Sequence, residues 1–164
     1  MTENNNTQPY PCPFCNSQIQ DCVFLESGNF LAVYNIAPVL PGHSLIIPVN
    51  HITSFIDLNK EQRAEFLETT RQAVRVLLKA FHTDAFDLSV QEKPEAGQTI
   101  EHLHLHIVPR LKNDMPRPGD WYPIIHQNDS MIIDNKNRSR LSDESLREVV
   151  KMLRDVASET DMQE

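Results

Sequence analysis

Histidine alternates with aliphatic residues in one short stretch, which reads His-Leu-His-Leu-His-Ile-Val from residue 102 to residue 108. Side chains of a β-strand point alternately to opposite faces, so the pattern predicts a strand with all imidazoles on one face. Neighbouring histidines would then lie about 6.6 Å apart, facing a cleft, while the aliphatic side chains pack into a core. Imidazoles near neutral pH bind metal, transfer protons or attack phosphorus. A solvated histidine-rich strand and a purely metal-binding face are the alternatives.

Other stretches indicate an α+β fold, with an antiparallel sheet of about five strands and helices on one face. Strands are predicted at residues 23–26, 30–34, 44–49, 86–91 and 102–108. A long helix is predicted over 60–80, because Asn59 and Gln62 form a capping-box pattern before apolar residues at helical spacing. A C-terminal helix begins at Ser142, and residues 112–141 are predicted to be a long irregular segment.

The chain has 164 residues, of which 40% are hydrophobic and 23% charged, as in ordinary globular proteins. We predict one domain over residues 10–157, a disordered tail at 1–9 and a frayed C-terminus at 158–164. The formal net charge of −8 argues against a general nucleic-acid binder, which would need a basic surface. A small phosphorylated ligand stays possible, since a local set of donors can hold phosphate on an acidic protein.

The sequence predicts a cytoplasmic protein. No apolar run approaches the length of a membrane span, and the polar start of the chain does not resemble a signal peptide. Three cysteines in such a chain suggest a reducing compartment.

The loop at residues 94–99, Pro-Glu-Ala-Gly-Gln-Thr, leads into the histidine stretch. Gly97 permits a positive φ or the close approach of a ligand, and Gln98 and Thr99 add hydrogen-bonding groups. Its backbone amides could surround a phosphate, although an ordinary turn is the alternative.

Taken together, these motifs resemble the histidine triad (HIT) superfamily of nucleotide hydrolases and transferases. HLHLHIV matches the superfamily signature. PEAGQT, NIAPVLPGHSLIIP at 35–48 and SVQ at 89–91 are similar to the branch that splits diadenosine polyphosphates. The resemblance covers roughly residues 22–111, and HQNDS at 126–130 extends it weakly.

The resemblance implies a role for individual residues. His104 would attack the α-phosphorus and form a nucleotidyl-histidine that water then hydrolyses, with no metal needed for this step. His106 would donate to a phosphate oxygen, and His43 would line the same pocket. The remaining substrate contacts would come from Asn35 at the ribose and from Gln91, Gly97, Gln98, Thr99 and Ile100 near the phosphates.

Cys12 and Cys15 form a Cys-x-x-Cys motif, whose spacing suits two thiolates on one zinc ion. Half a site is a weak signal, so a redox pair and two unliganded thiols are the alternatives. The resemblance to bacterial HIT proteins implies that His51 and His102 complete a structural zinc site. Cys22 stands alone and is interpreted as a packed core residue.

Several residues are left without a firm role. Trp121 and Tyr122 would stack on an adenine, cover an apolar patch or serve a dimer, and His126 is unassigned. His82 ends the long helix, where the helix dipole favours it.

The leading functional hypothesis is a diadenosine polyphosphate hydrolase. A nucleoside phosphoramidate hydrolase, a dinucleotide phosphorylase and a non-catalytic nucleotide sensor are the alternatives. Resemblance to the superfamily also implies a homodimer.

Overall fold

The computed structural model describes residues 12–122 and 139–161. Its regular elements are β1 (Val23–Ser27), β2 (Phe30–Tyr34), β3 (Ser44–Pro48), α1 (Lys60–Phe81), β4 (Ala85–Val90), β5 (Leu105–Arg110) and α2 (Asp143–Asp161). The strands form one sheet in the order β1-β2-β3-β5-β4, and all neighbours are antiparallel. The predicted α+β architecture is therefore confirmed.

The long helix α1 begins where its capping residues predict. The Gln62 backbone N–H donates to Asn59 Oδ1 at 2.8 Å, and the Asn59 N–H donates to Gln62 Oε1 at 2.9 Å. Both bonds satisfy donors that lack a partner within the helix. The helix ends at His82, which adopts the left-handed conformation with φ of 53°.

Both helices pack on one face of the sheet. The core there contains residues of β2, β3 and β5 together with Phe66 and Leu77 of α1 and Leu153 of α2. The aliphatic residues of the histidine stretch lie in this core, as predicted; they are Leu103, Leu105 and Ile107. Because Leu45 pairs with His106 and Ile46 pairs with Leu105, the histidine side belongs to the opposite face.

The opposite face is covered partly by the N-terminal segment. Two short 3₁₀ turns, Pro13–Cys15 and Ser17–Cys22, precede β1. Phe14 and Ile19 of this segment pack against an apolar cluster of the sheet that contains Cys22, Val23, Leu31, Val33, Leu45 and Ile47. Cys22 is buried in this cluster, in agreement with its interpretation as a core residue.

The histidine stretch is only partly a strand, which corrects the predicted range of 102–108. Pairing with β3 begins at residues 105–107, whereas the Leu103 N–H donates to the carbonyl of Ile52 at 2.7 Å and the His102 N–H to that of Ile100. These two backbone bonds, one of them to a distant part of the chain, hold residues 102–104 outside the ladder. The strand instead continues to Arg110, where it pairs with Ala85.

The ends of other elements also differ from the prediction. Strand β4 covers 85–90, so Gln91 lies just beyond it, and β3 ends at Pro48. Helix α2 continues to Asp161, past the predicted fraying point at Ser158, because Ala157 and Thr160 are buried against the rest of the protein. No helix within the described residues has the length and apolar character needed to cross a membrane. The tail at 1–9, His126 and the motif at 126–130 lie outside the described residues.

Candidate active site and Cys/His cluster

His104 is held in one tautomer by the backbone. Its Nδ1 lies 2.7 Å from the carbonyl oxygen of His102, and a carbonyl accepts only from a protonated nitrogen. The proton therefore lies on Nδ1 and the lone pair on Nε2. Burial lowers the pKa of the His104 imidazole, against the opposing effect of this hydrogen bond. The ring is thus kept neutral, as a nucleophile requires.

A hydrogen bond from the imidazole of His43 sets the tautomer of His106. The Val39 backbone N–H donates to His43 Nδ1 at 3.1 Å, so His43 carries its proton on Nε2. That nitrogen lies 2.9 Å from Nδ1 of His106 and donates to it. His106 is consequently protonated on Nε2 and can act as a hydrogen-bond donor. His43 has no exposed surface and is absent from the lining of the cleft, so it reaches the site only through His106.

His104 and His106 line a cleft of about 610 Å³ on the sheet face opposite the core helices. Their ring centroids are 5.1 Å apart. The apolar floor and wall include Val33 and Leu45 of the sheet and Phe14 and Ile19 of the N-terminal segment. The cleft therefore combines apolar side chains with two imidazoles, a combination that is typical of small-molecule sites.

Four of the predicted substrate-binding residues, other than the histidines, line this cleft from the 91–100 segment: Gln91, Gly97, Thr99 and Ile100. Gly97 has a φ of 89°, which explains the need for glycine there. Gln91 is buried and its side-chain amide donates to the Ser89 hydroxyl.

The structure places Gln98 differently. Its Oε1 accepts the backbone N–H of Lys93 at 2.7 Å, and it is absent from the cleft lining. Its Nε2 donates to the carbonyl of His102 at 3.5 Å, so the side chain bonds both to its own loop and to the histidine stretch. Asn35 does line the cleft, and its Oδ1 accepts the backbone N–H of Ala37 at 2.9 Å.

The four predicted metal ligands converge at the edge of the site. Ligand atoms of Cys12, Cys15, His51 and His102 all lie within 4.8 Å of one another. Nδ1 of His102 is 3.4 Å from Cys12 Sγ and 3.6 Å from Cys15 Sγ, and Nδ1 of His51 is 3.4 Å from Cys15 Sγ. A tetrahedral ion with ordinary zinc bond lengths would place sulfur and nitrogen ligands about 3.6 Å apart. The cluster therefore has the size of a metal site.

The donor chemistry of His102 also suits a metal. Its Nε2 donates to the carbonyl of Pro48 at 3.0 Å, so the lone pair lies on Nδ1, the atom nearest the two thiols. Burial lowers the pKa of His102 to about 4, which keeps this nitrogen unprotonated. Together the four residues can hold one metal ion.

Sequence reasoning missed an aromatic residue and two cationic residues of the cleft, besides its apolar lining. Phe14 contacts His104, with ring centroids 5.5 Å apart, and Arg140 and Arg147 approach from the start of α2. The only sequence signal for Phe14 was its place inside the Cys-x-x-Cys motif. Trp121, by contrast, is buried against Val108 outside the cleft, which favours the apolar-patch interpretation.

Comparison with known proteins gives a consistent family. A family model described as HIT domain matches residues 16–113, more than half of the chain. A Schizosaccharomyces pombe protein named bis(5'-nucleosyl)-tetraphosphatase (asymmetrical) is 32% identical over 107 residues, which cover 65% of this chain and 59% of that protein. A Dictyostelium discoideum bis(5'-adenosyl)-triphosphatase is 35% identical over 103 residues, covering 63% and 69%. This chain spans between half and three fifths of the length of the first curated relatives it matches.

Solved structures show the same fold. A Zn-bound histidine triad family protein from Mycobacterium smegmatis superimposes with a TM-score of 0.69 at 24% identity, covering 93% of this chain and 97% of that one. The Plasmodium falciparum diadenosine triphosphate hydrolase superimposes with a TM-score of 0.66 at 23% identity, covering 85% and 78%. Because the family model matches more than half of the chain, including the histidine stretch, this chain belongs to the HIT domain family.

Proposed function

We propose that this protein hydrolyses dinucleoside polyphosphates, with diadenosine tri- and tetraphosphate as the first candidates. The observation that carries the proposal is the single tautomer of His104, whose Nδ1 is bound to the His102 carbonyl and whose Nε2 keeps its lone pair. The names of the curated relatives support this substrate class.

In the first step, Nε2 of His104 attacks the α-phosphorus of the dinucleotide. An N–P bond forms, the P–O bond to the polyphosphate breaks, and the leaving nucleotide departs with the electron pair. The proton stays on Nδ1 and remains hydrogen-bonded to the His102 carbonyl, which stabilises the positive charge that develops on the ring. His106, protonated on Nε2, would donate to a phosphate oxygen and stabilise its growing charge.

In the second step, water attacks the same phosphorus, the N–P bond breaks and a nucleoside monophosphate is released. Gln91 and the backbone around Gly97 lie on the cleft wall, where they can contact the phosphates. No metal takes part in either step of this proposal.

A substrate panel tests the proposal. Purified protein is incubated with diadenosine tri- and tetraphosphate and an adenosine phosphoramidate, and products are separated by chromatography with and without inorganic phosphate. We expect cleavage of a dinucleotide to AMP and the complementary nucleotide. ADP formed only when phosphate is present would indicate a phosphorylase, and cleavage of the phosphoramidate alone would indicate the other hydrolase class.

The variant His104→Asn separates catalysis from binding. Loss of a covalent nucleophile should lower turnover by about three orders of magnitude or more, while AMP binding persists. Turnover equal to that of the unaltered protein would exclude the covalent mechanism. Binding without any turnover by the unaltered protein would instead favour the nucleotide sensor.

We further propose that Cys12, Cys15, His51 and His102 bind one structural zinc ion. When bound, zinc would cross-link the N-terminal segment to the loops that carry the two histidines. Elemental analysis should find about one zinc per chain, and Cys15→Ser should lower that content. If the protein were as stable without zinc as with it, the two cysteines would be explained as a redox pair or as free thiols. Metal-binding thiols also support a reducing compartment such as the cytoplasm.

A homodimer is the proposed assembly. Phe86, Leu88 and Val90 alternate along the edge strand β4 and are 41–46% exposed. They pair with Pro109, Ile107 and Leu105, so they lie on the helix-bearing face of the sheet. A second copy of the chain would cover this apolar stripe. Light scattering after size exclusion should give twice the monomer mass, and Leu88→Lys should shift it toward the monomer.

A further inference from the structure

Phe14 connects the Cys/His cluster to the proposed nucleophile. Its ring makes an edge contact with His102, with centroids 5.5 Å apart and planes at 89°, and lies at the same centroid distance from His104 at 62°. His102 belongs to the cluster and His104 to the cleft. One side chain therefore contacts both sites.

The orientation of the His104 ring depends on a few contacts. Its Nδ1 is bound to the His102 carbonyl, and His106 and Phe14 are its aromatic neighbours. The first two contacts come from the same short stretch of chain as His104 itself. Phe14 is the neighbour among these that comes from a distant part of the chain.

The position of Phe14 depends in turn on the cluster. The 3₁₀ turn that carries it, Pro13–Cys15, has no buried residue. Cys12 and Cys15 lie on either side of Phe14 in the sequence. Both thiols approach Nδ1 of His102, a residue from a distant part of the chain. The turn thus meets the histidine stretch through the two thiol contacts and through the ring of Phe14, which also packs partly on the sheet.

We propose that Phe14 is a positioning residue through which metal binding by the Cys/His cluster fixes the ring of His104. With metal bound, Cys12 and Cys15 hold the turn and Phe14 presses on the imidazole. Without metal, the turn detaches, Phe14 leaves and the ring samples unproductive orientations. Small displacements of a reacting group cost as much as a hundredfold in rate, so the link is large enough to measure. The inference rests on the proposed function only for its kinetic readout.

The test is a cycle of four samples: the unaltered protein and Phe14→Ala, each loaded with zinc and stripped by chelator. We expect stripping to lower kcat of the unaltered protein tenfold or more. Zinc-loaded Phe14→Ala should lose a similar factor, and stripping it should cause less than a twofold further loss. If metal removal and the Phe14→Ala substitution acted independently, their fold losses in kcat would multiply, and that result would overturn the proposal.

Nitrogen-15 NMR of the imidazoles gives a readout that needs no activity, with the His104 signals assigned from their loss in His104→Asn. Metal removal from the unaltered protein should shift or broaden the His104 ring signals, and Phe14→Ala should show the same change with zinc present. Unchanged signals in both would overturn the proposal. If the loaded protein cleaves no substrate, the proposed function fails while this readout still tests the link.

Two further variants act as controls. Ile19→Ala removes another apolar side chain of the same cleft wall, one that does not belong to the Cys/His cluster. Its fold effect on kcat should multiply with the fold effect of metal removal. Phe14→Leu keeps part of the side-chain volume, so it should restore part of the turnover and of the metal sensitivity. If Phe14→Ala does not fold, the Phe14→Leu cycle replaces it, and multiplication in that cycle would equally overturn the link.

Discussion

The Nε2 proton of His43 is donated to Nδ1 of His106 across 2.9 Å, between two side chains that are almost fully buried. The relation assigns His43 a positioning role, because it determines which nitrogen of His106 carries the proton. His43 never touches the cleft itself.

Replacement of His43 by Leu should therefore lower kcat by about tenfold to a hundredfold, the range found when a supporting hydrogen bond to a functional histidine is removed. His43→Gln keeps a side-chain N–H that can reach His106, so it should lose less. Steady-state kinetics on a dinucleotide measures both, with thermal unfolding as the check on folding. Equal kcat for His43→Leu and the unaltered protein would show that the donor to His106 is dispensable.

Gly42→Ala should destabilise the protein by about 1–3 kcal/mol. Gly42 has a φ of 87°, and an added Cβ would lie 2.7 Å from Cγ of Pro109 and 3.0 Å from the ring of Phe81. The matched control is Gly119→Ala, where a Cβ meets nothing within 4 Å. Urea unfolding gives both free energies. A stable Gly42→Ala protein would mean that β5 and the end of α1 move apart easily.

Lys93→Gly should stabilise the protein by about 1 kcal/mol. Lys93 has a φ of 70° and a ψ of 158°, a conformation that glycine adopts and other residues avoid. Asn113→Gly is the control, since asparagine tolerates its φ of 64° and little should be gained. Unfolding by urea again provides the comparison, and a loss of stability in Lys93→Gly would show that the lysine side chain contributes more than the strain costs.

Acid should destabilise the unaltered protein more than Asp114→Asn. Two hydrogen bonds from Arg110, both 2.8 Å, lower the pKa of the Asp114 carboxyl. A carboxyl whose folded pKa lies below its unfolded value of about 3.9 stabilises the fold above that pH. This stability is lost as the pH falls through the folded pKa.

At pH 7 the free energy of unfolding of Asp114→Asn should be about 2 kcal/mol below that of the unaltered protein. At low pH this variant should lose less additional stability than the unaltered protein does, as measured by urea unfolding at pH 7 and pH 2.5. Glu68→Gln is the control. It breaks an ion pair with Arg71 on the exposed surface of α1 and should change stability little. If the free energy of unfolding depended on pH in the same way for Asp114→Asn and the unaltered protein, the lowered pKa of Asp114 would not contribute to stability.

The predictions from sequence succeed where a residue's role follows from a local period. Alternation placed the aliphatic residues of the histidine stretch in the core, and the Asn59–Gln62 pair marked the start of α1. The resemblance named the four residues of the Cys/His cluster and seven of the residues that line the cleft, and the structure brings each set together.

Tertiary contacts explain what the sequence could not predict. His102 leaves the ladder because the next residue, Leu103, bonds to Ile52, which lies in a distant part of the chain. Gln98 turns back because Lys93 presents its backbone N–H in an unusual conformation. Phe14 reaches His104 from ninety residues away, and no periodicity within either segment encodes that approach.

The complete enclosure of His43 has one more consequence. Because the ring has no accessible surface, solvent cannot replace the Val39 amide as the donor to Nδ1, and the fold itself fixes the direction of the hydrogen bonds from Val39 through His43 to His106.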